Sequence, residues 1–403
     1  MRFALLGEGP LAFAVAHAVL AQAPAHRLIR QSRLGSLSLP DSPFAPGVRF
    51  ARNWEELLTD ADVDAVIVGG GNDELQPVVR QLVQAGKAVL VAPELVQSAA
   101  FFYELSLVES ESPGRIFPML GLRGHPLVLK LKELLSQGEL GSIRHVQFDR
   151  KLASQAAAAH APVLTPAQMA SALLVDADLL RMLCGSYDQV TASRSGEAAR
   201  GYSLATVMLA GSGVPQAVWT TAAHPHDDDW KLTISGEAGT AVLDGNPAEG
   251  RLRLTLHGIE PSAAVEECTA DAGAWLLETF AASAAQSRGS ENPAGSSQWD
   301  ELARAVELVD AVERSVRRRR TIDVYFETPS ERGIFKTQMT AVGCSLLMLT
   351  LAAVVFYLVL AATIELPPLM KRILVVGIFL PLGAFLALQF LVFVARPASR
   401  DLK

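Results

Sequence analysis

Phe3-Ala4-Leu5-Leu6-Gly7-Glu8-Gly9-Pro10-Leu11-Ala12 is the stretch on which the fold turns. Its four apolar residues predict a buried strand, its glycines a tight turn, and Pro10 the start of a helix. Gly7 permits the turn, Gly9 lets the backbone approach a pyrophosphate, and Ala12 keeps the helix close to the sheet. The first N–H groups of that helix then point at the phosphates. A G-x-G-x-x-A pattern alone is weak evidence, but between a strand and a helix it marks a dinucleotide-binding unit.

The same residues invite a rival reading as a signal peptide, with Met1-Arg2 as the charged start and Ala21-Gln22-Ala23 as a cleavage site. Glu8 and the Gly-Pro turn break the apolar helix that reading needs. His26-Arg27-Leu28-Ile29-Arg30 continues instead as the second strand of the unit.

Further strands are expected over residues 48–50 and 63–68, with a helix over 54–58 between them. Val66-Ile67-Val68 runs into Gly69-Gly70-Gly71-Asn72, a loop at the carboxyl end of a strand, where a doubly wound sheet binds ligands. A helix over 74–85, ended by Gly86, leads to a strand at Ala88–Val91. Strands and helices alternating at this length imply a parallel sheet. Beyond Gly121 the pattern changes to a loop with Arg123, Gly124 and His125, an amphipathic helix over 127–136 and a strand over 143–149. Residues 202–244 read as long alternating strands with one wet face. A Ser/Gly/Asn-rich loop over 283–297 precedes a helix over 299–316 and a last strand over 321–326.

A chain of 403 residues predicts two globular domains and something more. The formal net charge of −7 gives no electrostatic case for nucleic acid as a partner. Arg317-Arg318-Arg319-Arg320 reads as the cationic end of a helix, facing its last carbonyls. Cys184, Cys268 and Cys344 are widely separated and make no metal-ligand spacing, which fits a reducing compartment.

The extra piece is apolar. Residues 339–362 and 373–395 carry no charge, and each is long enough to cross a hydrocarbon core of about 30 Å as a helix. Pro367-Pro368 in the short turn between them makes a transmembrane hairpin that looks like an anchor. Arg332 and Lys336 before the first span, and Arg396, Arg400 and Lys403 after the second, outnumber Lys371 and Arg372 in the turn. That bias places the soluble region and the C-terminus in the cytoplasm.

The order of the pieces resembles the Gfo/Idh/MocA family of NAD(P)-dependent oxidoreductases over about residues 1–326. The likeness is carried by GEGPLA (7–12), VDAVIVGGGN (63–72), QAGKAVLV (84–91), LKLKELLSQGELGSIRHVQF (129–148), DLLRMLCG (178–185), LTISGEAGTAVLD (232–244) and ELARAVELVDAVERSVRRRR (301–320). The expected architecture is a Rossmann domain with a doubly wound parallel sheet over 1–120, followed by an α/β domain with a large, mostly antiparallel sheet over 121–326. A linker over 327–338 and two transmembrane helices over 339–395 complete it. The resemblance also implies a homo-oligomer formed through the open sheet.

Three positions depart from the family pattern. The Glu-Lys-Pro motif, whose lysine helps proton transfer, is replaced by Val91-Ala92-Pro93-Glu94, so the lysine position falls on Pro93. In the family's His-x-x-Asp motif, aligned on Asp178-Leu179-Leu180-Arg181, the histidine position is Val175; Asp178 survives and Asp176 is new. The Thr-Pro before Asn72 has become Gly70-Gly71. Neither proline nor valine can serve as a general acid or base.

Cofactor-binding residues implied are Gly7, Gly9, Pro10, Leu11, Ala12, Gly70, Gly71 and Asn72. The acidic residue that would bind the ribose 2′-hydroxyl is missing at the end of the second strand, where Arg30-Gln31-Ser32-Arg33 stands. Ser32 and Arg33 favour NADP over NAD, with exposed loop residues as the alternative. Candidate replacements for the lost acid/base are Asp178 and His125; Lys151 carries the same ambiguity. His224-Pro225-His226-Asp227-Asp228-Asp229 offers metal-ligand types, but reads better as a solvated turn between strands. Three functions follow in order. The first is a membrane-anchored NAD(P)-binding protein with a degenerate catalytic site. The second is an active NADP-dependent oxidoreductase on a sugar-like substrate using relocated groups. The third is a non-catalytic interaction module.

Overall fold

Phe3, Ala4, Leu5 and Leu6 are fully buried, as a strand with helices on both faces of its sheet must be. The computed structural model describes residues 1–32, 48–51, 53–70, 74–96, 98–153, 162–197, 201–225, 229–258, 265–286, 298–324, 331–363, 367, 374 and 376–380. In it β1 (Arg2–Gly7) joins β2 (Arg27–Ser32), β3 (Arg49–Phe50), β4 (Ala65–Gly69), β5 (Ala88–Val91) and β6 (Arg115–Pro118). Among the described residues these strands run parallel in the order β3-β2-β1-β4-β5-β6. The order reverses between β1 and β4, which opens a crevice beyond their carboxyl ends.

The crossover helices are α1 (Pro10–Ala21), α2 (Glu56–Thr59), α3 (Leu75–Gln84) and α4 (Ala99–Glu111). In α3, Leu75, Val78, Val79, Leu82 and Val83 are buried, a helical spacing that lays one stripe on the sheet. The expected helix over 54–58 is shorter and later, because Asn53–Trp54 form a turn before it.

A second sheet follows α5 (Pro126–Ser136). Its strands are β7 (Ile143–Ala153), β8 (Gln189–Glu197), β9 (Gly201–Ala210), β10 (Ala217–His224), β11 (Asp229–Gly236), β12 (Thr240–Asn246), β13 (Arg251–His257), β14 (Val265–Thr269) and β15 (Ile322–Asp323). They lie in the order β14-β13-β12-β11-β7-β10-β9-β8-β15, and only β7 and β10 pair in parallel. The large, mostly antiparallel sheet is as expected. β7 runs four residues past the expected Asp149 because β10 and β11 pair with it along its whole length.

Helix α6 (Pro166–Cys184) covers this sheet. Thr165 and Gln168 make a capping box: the Gln168 N–H donates to Thr165 Oγ1 (3.2 Å) and the Thr165 N–H to Gln168 Oε1 (2.9 Å). Two later helices return to the first sheet. From α7 (Ala272–Gln286), Leu276, Leu277 and Phe280 enter the core that holds Phe3 and Phe117, and Phe280 meets both rings edge-on at 5.9 and 5.6 Å. From α8 (Gln298–Arg318), Trp299 stacks on Phe102 of α4 at 4.3 Å. Residues Met1–Tyr325 therefore form one compact unit containing both sheets. The loop expected over 283–297 begins later, since Ser283–Gln286 belong to α7, and residues 287–297 lie outside the described residues. The last strand is two residues long.

Phe326–Lys403 is a separate unit. Its helix α9 (Glu331–Thr363) contains an apolar window, Ser345–Ala362, of mean hydropathy 2.5 and 6% buried, long enough to cross a membrane. The hairpin expected from the sequence is reduced to this one candidate span. Of the second, 373–395, only Leu374 and the helical stretch 376–380 are described, and the remainder lies outside the described residues.

Candidate functional site

The turn after β1 is built so that only glycine fits. Gly7 has φ +80°, and a Cβ on it would lie 2.3 Å from the Gly69 carbonyl oxygen. Gly70, at φ +96°, passes close to the Glu8 carbonyl, and a Cβ on Gly69 would meet the Ala12 methyl at 2.4 Å. The ends of β1 and β4 and the first turn of α1 are thus in backbone contact, and Ala12 is as large as the space allows. Gly9 takes the N-cap position of α1 in an extended conformation and has no side chain to cap it. Pro10 follows at N1, so the N–H groups of Leu11 and Ala12 open toward the crevice without a side-chain acceptor from the cap. This geometry fits a dinucleotide pyrophosphate.

Ser32 is fully buried at the end of β2, and its hydroxyl has no hydrogen-bond partner among the described residues. Arg33, Gly71 and Asn72, also expected at the cofactor site, lie outside the described residues.

A cavity of about 530 Å³ adjoins this turn. Pro10, Leu11 and Ala14 of α1 form one wall, with Glu94 and Met119 beyond the ends of β5 and β6. The 3₁₀ turn Gly121–Gly124 and His125 continue it. Residues beyond α5 close it: Arg150 of β7, Val175 of α6, the turn Pro247–Gly250 and the start of α7 with Trp275. Volume and lining are those of a small-molecule site. Trp275 is packed tightly there: a Cβ on Gly124 would overlap its ring.

The ionisable groups around the cavity are mostly committed. Asp178 is 3% exposed and accepts a bidentate pair from Arg123, Nε to Oδ2 at 2.7 Å and Nη2 to Oδ1 at 2.5 Å. Burial works against the Arg123 charge, but Asp178 more than offsets it and the guanidinium pKa is raised. His125 is the N-cap of α5: its Nδ1 accepts the Leu127 N–H at 3.2 Å, and its Nε2 lies 3.1 Å from the Gly250 carbonyl. Both ring nitrogens are therefore engaged, with the proton on Nε2. Burial pulls this imidazole below the usual histidine range, against the backbones of Gly250 and Cys268, which raise it.

Asp176, fully buried, gathers three donors that the sequence did not connect. Arg150 Nη1 reaches it at 2.7 Å, Trp219 Nε1 at 2.8 Å and Trp230 Nε1 at 3.2 Å. Arg181 turns away to α8, onto the Glu301 carbonyl at 2.8 Å and its carboxylate at 3.1 Å. Glu94 was quoted in the sequence but given no role. It follows Pro93 in a single 3₁₀ turn, and the residue joins the cavity wall. Burial pushes that carboxyl above the usual carboxylate range, and its own backbone N–H opposes the rise. A signal was available, since Glu94 is the one ionisable residue between Ala88 and Val96.

Other candidates lie elsewhere. Lys87 sits at the start of β5, away from the crevice, and its ammonium holds the carbonyls of Asp60 (2.6 Å) and Val63 (2.9 Å). Lys151 pairs with Asp229 at 2.9 Å on the half-exposed edge of β7 and β11. His226, Asp227 and Asp228 lie outside the described residues. Among the described residues no three His, Cys, Asp or Glu side chains are grouped to hold a metal.

No protein-family model matches the chain. A trans-1,2-dihydrobenzene-1,2-diol dehydrogenase from Oryctolagus cuniculus is 36% identical over 93 residues, which is 23% of this chain and 28% of that protein. The match thus spans less than a third of the relative's length. Levoglucosan dehydrogenase, solved in complex with NADH and L-sorbose, superposes with a TM-score of 0.63 at 14% identity, covering 81% of this chain and 99% of that one. GenD2 from gentamicin A biosynthesis, in complex with NAD, gives 0.64 at 18%, covering 81% and 97%. At these identities the likeness is one of fold: the compact unit has the Gfo/Idh/MocA-type arrangement of a Rossmann sheet and a second, open sheet.

Proposed function

We propose that this chain is an NAD(P)-binding protein of the Gfo/Idh/MocA oxidoreductase type, tethered to a membrane through α9, in which the family's lysine–histidine pair is missing. The observation that carries the cofactor reading is the cavity lined by the uncapped first turn of α1, which follows directly on the glycine turn. NADH and L-sorbose on the same fold in levoglucosan dehydrogenase support a nicotinamide dinucleotide and a sugar-like ligand here.

Hydride chemistry is what a bound nicotinamide supplies. Gly7, Gly9, Pro10, Leu11, Ala12 and Gly70 would hold the dinucleotide, with Ser32 at the strand end where the ribose is recognised. At the resemblance's proton-transfer positions Pro93 and Val175 have no proton to give or take. The apolar window in α9 and the basic residues flanking the two uncharged stretches favour a tether with the soluble unit in the cytoplasm.

One experiment addresses both halves. Membranes from cells expressing the full chain are washed in alkaline carbonate, solubilised in mild detergent and titrated with NADH and NADPH by cofactor fluorescence. The chain is expected to stay with the membranes and to bind at least one dinucleotide saturably. Release into the wash overturns the tether, and a folded chain that binds neither overturns the cofactor reading.

A second reading, an active oxidoreductase with a relocated proton carrier, is favoured by Glu94. Asp178 and His125 hold Arg123 and the cap of α5, and Glu94 is a lining residue of the cavity whose carboxyl pKa is raised by burial. On this reading Glu94→Gln lowers the rate of NADH formation, measured across a panel of polyols, about 10²–10⁴-fold. Turnover unchanged by Glu94→Gln removes Glu94 from the chemistry.

A further inference from the structure

Within the cavity wall, Arg150 differs from every other charged residue. Among the described lining residues it is the only lysine or arginine. Its backbone is fixed in β7 between β10 and β11, and its side chain is 22% exposed. Asp176, without solvent exposure, takes one guanidinium N–H through Oδ1. The two indoles that donate to Asp176, from Trp219 and Trp230, hold the carboxylate in place. Arg150 is therefore held at the cavity wall by a buried acceptor, and among the described residues this is its one side-chain hydrogen bond. A guanidinium has five donors in a planar fork, and one carboxylate oxygen uses only part of it.

Of the acidic residues in the wall, Glu249 and Asp271 have partners of their own. Glu249 pairs with Arg251 at 2.8 Å. Asp271 is turned onto its own helix, accepting from the N–H groups of Gly273 (2.8 Å) and Ala274 (3.2 Å) at the start of α7. Val175, beside Arg150 in the wall, adds an apolar surface that excludes water and strengthens a charged hydrogen bond made there.

Resting on the cofactor reading above, we infer that the cavity takes a small hydroxylated ligand carrying an oxyanion, a carboxylate or a phosphate, which Arg150 holds by its free edge. Planar two-point recognition of such groups is what arginine provides and lysine does not.

The test is calorimetric titration of the full chain in detergent, with and without saturating NADH, using D-glucuronate, D-glucose 6-phosphate and D-glucose. At least one of the two anions is expected to bind about tenfold or more tightly than D-glucose, and which one does so identifies the oxyanion. Arg150→Lys keeps a cation opposite Asp176 and preserves the fold; it is expected to lower the affinity for that anion about tenfold and to leave NADH and D-glucose unchanged. Anions that bind no better than D-glucose, or a preference that survives Arg150→Lys, overturn the inference, as does failure of all three probes to bind. If NADH does not bind but the anion preference persists, the cofactor reading falls alone. If NADH binds and the preference is absent, this inference falls alone.

Discussion

Gly7→Ala lowers the stability of the chain by about 2–5 kcal/mol, summing a left-handed backbone penalty of about 1–2 kcal/mol and overpacking of about 1–3 kcal/mol. The first contribution comes from φ +80°, the second from a Cβ placed 2.3 Å from the Gly69 carbonyl oxygen. That carbonyl belongs to β4, whose residues are fully buried from Ala65 to Val68, so the backbone has nowhere to retreat. Relief requires β1 and β4 to separate at the switch point, and the dinucleotide site opens with them. Gly138 is the internal control. It has φ +73°, but an added Cβ there meets nothing within 4 Å, so Gly138→Ala incurs only the backbone penalty of about 1–2 kcal/mol. Urea midpoints followed by tryptophan fluorescence, together with NADH binding, separate the two variants. Equal midpoints for Gly7→Ala and Gly138→Ala would show that the close approach of β1 and β4 does not matter.

That contrast also marks what the sequence makes legible. The turn at Gly7 was readable because its causes are local: an apolar run, two glycines and a proline within ten residues. The parallel sheet followed from the alternation of short apolar runs with helices, and the wide second sheet from the two-residue periodicity of residues 202–244. What the sequence hid is long-range. Nothing in the residues of α7 says that Phe280 closes the core around Phe3, because its neighbours on the helix are a mixture of small and apolar side chains. α4 is similar, with three aromatic residues and no clear apolar stripe, and Trp299 stacks on its Phe102 from almost two hundred residues away.

The candidate site divides along the same line. Asp178 and His125 were chosen as chemical groups from their places in a motif and a loop, yet their partners, Arg123 and the backbone of Gly250, are set by the tertiary fold. Pattern alone cannot tell a carboxylate waiting for a substrate from one already holding an arginine. Glu94 escaped for the opposite reason. The family pattern offers a lysine position at Pro93, whereas the ionisable side chain of that segment is the next one along.

Asp176 is the residue whose loss has the largest expected effect around the second sheet. Asp176→Ala leaves Arg150 without its buried counter-charge and two indole N–H groups without an acceptor, and is expected to destabilise the chain by about 3–5 kcal/mol. The three interactions share one carboxylate, so their separate values do not add. Asp176→Asn retains a single acceptor oxygen and much of the shape, and its effect is smaller. The diagnostic variant is the pair Asp176→Leu with Arg150→Met, which removes both charges and fills the volume with apolar atoms. Breaking a buried pair by deleting one partner is far more damaging than replacing both. The double variant should therefore recover part of the loss seen in Asp176→Ala, the two indole N–H groups left without an acceptor accounting for the residual deficit. Urea unfolding monitored by tryptophan fluorescence reports directly, since Trp219 and Trp230 are themselves the donors. An Asp176→Ala midpoint equal to that of the unaltered chain would mean that the carboxylate does not organise β7, β10, β11 and α6. The geometry that aims Arg150 into the cavity would then have lost its support as well.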